Sequence, residues 1–207
     1  FNPASPPPPP VTTAGTYYVN NTSGSSTSFG PGTPTKPYSS ISAALAGHHA
    51  AGTTIVVMPG IYHEQITVPA SGAPGSPLVI QAEDSPGNPV VVDGAEDFAN
   101  PARWVQFSGD VWLAADVTWS PKQVFADSVR LAASAAEPAA LPVNSFVWVT
   151  GAGLYVNVGG DNPGSHGAEV GNQTFGFYVS GHSSVVIDGF TVTRSEFAGI
   201  EVTSLST

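Results

Sequence analysis

From residue 55 onward, hydrophobic positions come in short β-branched runs cut apart by Gly and Pro: Ile55-Val-Val-Met58, Ile66-Thr-Val68, Leu78-Val-Ile-Gln81 and Val90-Val-Val92. Runs this short, bounded by turn formers, read as strands. Their offsets are regular: Ile55 to Leu78 is 23 residues and Ile66 to Val90 is 24. Near the C-terminus Gly176-Phe-Tyr-Val179 and Gly199-Ile-Glu-Val202 share one pattern and again lie 23 apart, with Val185-Val-Ile187 and Phe190-Thr-Val192 between them. Such a period, holding two or three short strands and no helix, predicts the coil of a solenoid whose strands stack in parallel from turn to turn. One segment departs from it. Residues 38–47 put Ile41, Ala44, Leu45 and His48 at helical spacing behind Ser39 or Ser40 as N-cap, which predicts a helix near 39–49. The first coil of a solenoid exposes apolar core and strand edges, so this helix is expected to cap it.

Residues 95–173 break the repeat. They hold all four Trp (Trp104, Trp112, Trp119 and Trp148) and two hairpin-like stretches, Val124-Phe-Ala-Asp-Ser-Val-Arg-Leu131 and 146–158 with Thr150-Gly-Ala-Gly153 at its centre. This predicts a small inserted antiparallel β module. Its aromatic rings could stack on sugars, but a module this small also needs them for its own core, and that need favours a packing role. Upstream, residues 1–14 carry five consecutive prolines at 6–10 and read as an extended linker. Residues 20–36 read as a Ser/Gly/Pro/Thr-rich loop. The expected organisation is therefore a linker (1–14), cap and first coils (15–94), the module (95–173) and further coils (174–207). Only residues 203–207 follow Val202, so the last coil would stand open. The chain reads as the front part of a longer protein and is expected to be inactive alone.

The segments Gly15-Thr-Tyr-Tyr-Val-Asn20, Gly30-Pro-Gly-Thr33, Lys36-Pro-Tyr-Ser-Ser-Ile41, Ala43-Ala-Leu45 and Val57-Met-Pro-Gly-Ile-Tyr62 through Glu64 and Ile66 resemble the N-terminal portion of secreted right-handed parallel β-helix proteins of the pectate-lyase-like superfamily. Val185-Val-Ile-Asp-Gly-Phe-Thr-Val192 with Gly199-Ile-Glu-Val202 resembles their ordinary coil repeat. The resemblance covers about half the chain and implies an all-β, right-handed parallel β-helix with 41–45 as the plugging helix. Function is less constrained, because that superfamily holds lyases, hydrolases, epimerases, adhesins and phage tailspikes.

Composition narrows the classes. With 5 Lys+Arg against 15 Asp+Glu, a net charge of −10, the chain cannot build the basic stripe a nucleic-acid binder needs. It has no Cys, which excludes disulfides, thiolate nucleophiles and Cys-ligated zinc. No apolar stretch approaches the roughly 20 residues that span a bilayer. The 23 Gly and 20 Pro, with only 10% charged residues, speak against a helical protein and leave loops built from Ser, Thr, Asn and Gly. That bias is common among secreted carbohydrate-handling β proteins.

The chemistry follows from the resemblance. A lyase acting on uronates must neutralise the sugar carboxylate and remove the adjacent C–H proton. The resemblance implies Ca²⁺ on outward carboxylates and an Arg or Lys base. Asp188, Arg194, Glu196 and Glu201 come closest, with Arg194 and Glu201 as candidate catalytic residues and Asp188, Glu196 and Glu201 as candidate Ca²⁺ ligands. If Ile200 and Val202 face the core, alternation puts Glu201 outside, where it can line a groove. The competing reading is that these are solvated outer-face residues. Glycoside hydrolysis would need two carboxylates flanking a bond, and the spacing selects no pair. The loop 159–167, with Asp161, Asn162 and His166, reads as a turn rather than a Ca²⁺ site. His48 and His49 read as residues meeting a helix C-terminus. His63-Glu64 lacks the second His of a metalloprotease motif, and no G-x-S-x-G elbow is present. The leading expectation is a secreted, monomeric polysaccharide lyase on acidic polymers. A glycoside hydrolase on the same scaffold and a non-catalytic binding or adhesin β-helix stay open beside it.

Overall fold

The computed structural model describes residues 13–22, 31–83 and 86–204. The linker expected over 1–14 lies outside them except for Thr13 and Ala14, as does 23–30 of the expected loop. The chain starts with β1 (Thr16–Val19) and α1 (Ile41–Gly47), followed by β2 (Thr54–Val57), β3 (Gly60–Tyr62), β4 (Ile66–Thr67), β5 (Leu78–Ala82) and β6 (Val90–Asp93). Next come β7 (Ala95–Asp97), β8 (Val105–Ser108), β9 (Val111–Ala114), β10 (Val124–Ala126), β11 (Val129–Arg130), β12 (Ala132–Ala133), β13 (Ser145–Val149), β14 (Gly153–Asn157) and β15 (Glu169–Gly171). The described chain closes with β16 (Phe175–Ser180), β17 (Val185–Asp188), β18 (Thr191–Thr193) and β19 (Ala198–Thr203). Apart from α1 and three short 3₁₀ turns, the regular structure of the described residues is all-β.

Three sheets are parallel throughout: β1-β2-β5-β17, β3-β6-β18 and β4-β16-β19. Each circuit of the chain, β2 to β4 and again β17 to β19, gives one strand to each of them in the same order. Alternation then sends every second side chain inward. Ile55, Val57, Ile66, Leu78, Ile80, Val90, Val92, Phe177 and Val179 are buried in one cluster, and α1 adds Ile41, Ala44 and Leu45 to it. Two devices set the helix start. The Ser40 hydroxyl accepts from the Ala43 N–H at 3.2 Å, and Glu64, from the loop before β4, accepts from the N–H groups of Ile41 (2.8 Å) and Ser42 (3.0 Å). These satisfy amides that a helix N-terminus otherwise leaves bare.

The predicted stacking holds at the C-terminus and shifts elsewhere. Phe177 pairs with Ile200 and Val179 with Val202, at the expected 23 residues. Ile55 pairs with Ile80 rather than Leu78. Ile66 does not stack on Val90: Val90 pairs with Gly60, and Ile66 pairs with Phe177, on the far side of the intervening module. The cause is loop length. β2 reaches β3 across 58–59, whereas β5 needs 83–89 to reach β6, so one offset cannot serve both sheets. Gly176 is obligatory in this stack, since a Cβ there would lie 2.3 Å from Val192 Cγ1 and 2.6 Å from the Gly199 carbonyl.

The parallel pattern is not general. The sheet β11-β10-β15-β7 is antiparallel, and β12-β13-β14-β9-β8 is mixed, with only β12 and β13 parallel. Of the expected architecture, parallel pairing is thus seen in three of the five sheets of the described residues, and the other two depart from it. Tight turns explain the others: Asp127 and Ser128 both adopt positive φ (49° and 61°) and reverse the chain from β10 to β11, which an antiparallel pair allows and a parallel one does not. This region has its own core around Phe98, Val124, Phe146, Leu154, Val156 and Val170. The four indoles serve it. Trp104, Trp112, Trp119 and Trp148 each pack on that cluster and donate the ring N–H to a backbone carbonyl, of Phe98, Gly160, Gly171 and Val117 respectively.

Candidate functional site

The C-terminal ends of the β3-β6-β18 sheet carry polar residues in a row. Tyr62 pairs with Val92 and Val92 with Val192, so His63, Asp93 and Thr193 follow at one level and Arg194 at the next. Asp93 is 1% exposed. Its Oδ1 accepts from the Ala95 N–H at 2.9 Å, and its Oδ2 takes Arg194 Nη1 at 2.5 Å. The second arm of the guanidinium reaches Glu169 Oε2 at 2.8 Å, and the group lies 5.4 Å from the centre of the Phe125 ring. The Arg194 carbonyl accepts from Gln123 Nε2 at 2.6 Å. Arg194 sits at φ 53°, and its carbonyl would be only 2.6 Å from a Cβ at position 94, which is why Gly94 faces it. A buried carboxylate is tolerated only when paired and hydrogen-bonded, and both conditions are met here. Burial pushes the Glu169 carboxyl above its ordinary value; Arg194 opposes that shift and Asp93 adds to it.

This geometry gives Arg194 a different occupation from the base expected of it. A guanidinium has no lone pair to accept a proton, and this one is held between carboxylates from β6 and β15. It fastens the β3-β6-β18 sheet to the antiparallel region. Glu196 does the same: its Oε1 accepts from the Lys122 N–H at 2.6 Å, while its own N–H donates to the Gln173 carbonyl at 2.8 Å.

Glu201 lies in β19 opposite Tyr178, between Ile200 and Val202, whose partners Phe177 and Val179 are buried. Ile200 and Val202 lie on the side of those partners but are 50% and 68% exposed, since among the described residues no strand pairs with β19 beyond β16; Glu201 stands on the opposite side, in one row with Tyr178 and Thr67. Asp188 is exposed at the end of β17, beside Gln81 in another sheet. The three candidate ligands thus stand on separate segments, and among the described residues no three His, Asp or Glu are grouped so as to hold a metal. Ca²⁺ takes six to eight oxygens, and this donor set does not fit it.

Aromatic rings gather beside Tyr178, the strand partner of Glu201. Phe175 and Tyr178 stack with ring centroids 4.9 Å apart, and Phe197 meets Phe175 edge-on at 5.8 Å. The Thr203 hydroxyl donates to Ser180 Oγ at 2.9 Å. Hydrogen bonds from Ser180 and Thr203 draw the Tyr178 phenol below its ordinary pKa, against the nearby charge of Glu201. Sequence reasoning missed Asp93 and Glu169, because nothing local announces a pairing across a hundred residues. The Tyr178–Glu201 row was derivable from the 23-residue offset. At the open end of these sheets, Val179, Val185, Ile187, Ile200 and Val202, together with His182, Ser183 and Ser184, line an open cavity of about 310 Å³.

No protein-family profile matches the sequence, and no curated protein does. Solved structures do. One, described as the complex structure of XylC with xylose, superposes with a TM-score of 0.69 at 18% identity over 89% of this chain and 36% of its own. Another, described as a glycoside hydrolase, gives 0.59 at 12% identity over 88% of this chain and 51% of its own. The chain thus spans about a third of one and half of the other. At such identities the likeness is one of fold.

Proposed function

We propose that the three parallel sheets are coils of a right-handed parallel β-helix, and that the protein is a secreted, carbohydrate-active monomer of the glycoside hydrolase type. The observation that carries the choice against a uronate lyase is the state of Arg194. β-Elimination needs a cation or metal at the sugar carboxylate and a base beside it. The only Lys or Arg of residues 174–207 is already shared by Asp93 and Glu169, and the carboxylates expected to gather Ca²⁺ do not converge. Hydrolysis asks for less: a carboxyl able to hold a proton and a carboxylate across the bond, with no cation. An outward Glu201 beside aromatic rings suits that demand. The fold neighbours, one named a glycoside hydrolase and one carrying xylose, support the same direction.

The test is a product assay on xylan, other neutral glycans, pectate and alginate. New reducing ends without the ultraviolet absorbance of unsaturated sugars support hydrolysis. Unsaturated products from pectate or alginate refute it, and binding without turnover returns the protein to the binding class.

A further inference from the structure

Three rings adjoin beside β16 and β19: Phe175 and Tyr178, both in β16, stack with their planes near-parallel at 10°, and Phe197, immediately before β19 and at 86° to Phe175, is 70% exposed. Single exposed apolar residues are ordinary, but contiguous ones mark a surface that meets a partner. The rim of this patch decides the partner's chemistry. Glu201 stands beside Tyr178, and the Ser180–Thr203 hydroxyl pair and Thr67 follow on the same face. Ring faces bordered by acceptors and hydroxyls match a sugar, whose C–H face packs on an aromatic while its hydroxyls bond at the edge. Charge selects further. Arg194 is committed to Asp93 and Glu169, and the chain carries −10, so a sugar carboxylate at this strip would meet Glu201 with no counter-charge from Arg194.

We propose that Phe175, Tyr178 and Phe197 form a stacking subsite for a neutral pyranose unit of a glycan, with Glu201 accepting hydrogen bonds from its hydroxyls. This rests on the carbohydrate-active reading above. The experiment titrates the 207-residue chain with neutral tetrasaccharides of xylose, glucose and mannose and with trigalacturonate, following calorimetry and the aromatic NMR signals. The expected result is binding of at least one neutral tetrasaccharide with shifts at Phe197 and Tyr178, weakened about tenfold or more by Phe197→Ala and retained by Phe197→Trp. Neutral binding that Phe197→Ala and Tyr178→Ala leave unchanged, with both variants folded by circular dichroism, overturns the subsite while the carbohydrate reading stands. Preference for trigalacturonate overturns the neutral assignment. No binding of any glycan overturns both.

Discussion

Removing the guanidinium of Arg194 would leave Asp93 charged, 1% exposed and without its partner. Breaking one side of a buried pair costs about 3–5 kcal/mol, whereas replacing both sides with apolar groups is often close to neutral. Arg194→Met is therefore expected to lower unfolding free energy by that amount in urea, and Asp93→Leu combined with it to restore a large part. Equal losses in the single and double variants would show that the pair is not what holds this joint. His166 offers a titrating counterpart. It hydrogen-bonds Asp127 at 2.6 Å and faces Asp161 at 3.6 Å, and the Asp127 hydrogen bond, more than any other cause, raises its pKa above the ordinary 6.5. A raised folded value means that the pair's contribution is complete below the unfolded value and disappears as pH rises through the folded one. A pH series of thermal midpoints should show that decline in the wild type and lose it in His166→Gln.

A seven-residue helix is too short to stand by itself, and α1 depends on what surrounds it. Ser40 was legible as its N-cap because capping is a local code. Glu64 was not, since it reaches Ile41 and Ser42 from the loop before β4, more than twenty residues on. Ser40→Ala should cost about 1 kcal/mol. Glu64→Ala, which leaves two amides at the helix start without their acceptor, should cost about 1–3 kcal/mol. Urea unfolding of both variants tests the order, and a larger loss for Ser40→Ala would mean that solvent replaces Glu64. The strands repeat this division between local and distant information. Their positions followed from β-branched runs, and the Phe177–Ile200 register followed from the 23-residue offset between two like segments of the sequence. The pairings of Ile66 and of Val90 did not, because loop length breaks the period and residues 95–173 separate partners that touch. For the site, the register of Glu201 with Tyr178 was readable from the 23-residue offset, but the exposure of Ile200 and Val202 was not. The binding of Arg194 by Asp93 and Glu169 was not, since it depends on how two cores meet.

Those two cores, one under the parallel sheets and one under the antiparallel region, join through Arg194, Glu196 and the paired N–H groups of Asn172 and Gln173, which both donate to the Gly94 carbonyl. Elements coupled this closely should unfold together. Calorimetry should give one transition for the wild type and two, or one broadened, for Arg194→Met. A single sharp transition in both would place the coupling elsewhere.

The β4–β16 ladder, in which Ile66 meets Phe177, also sets an order of events during synthesis. When β4, β5 and β6 are synthesised, their partners β16, β17 and β18 are still a hundred residues or so from being made. At ordinary elongation speeds that is a wait on the order of ten seconds. Throughout it, each of the three parallel sheets has an edge unpaired, open to any other strand that arrives first. The nascent chain is thus most vulnerable to misassembly not at its ends but in the interval when the inserted strands are being translated, and a slower ribosome there would lengthen that exposure in direct proportion.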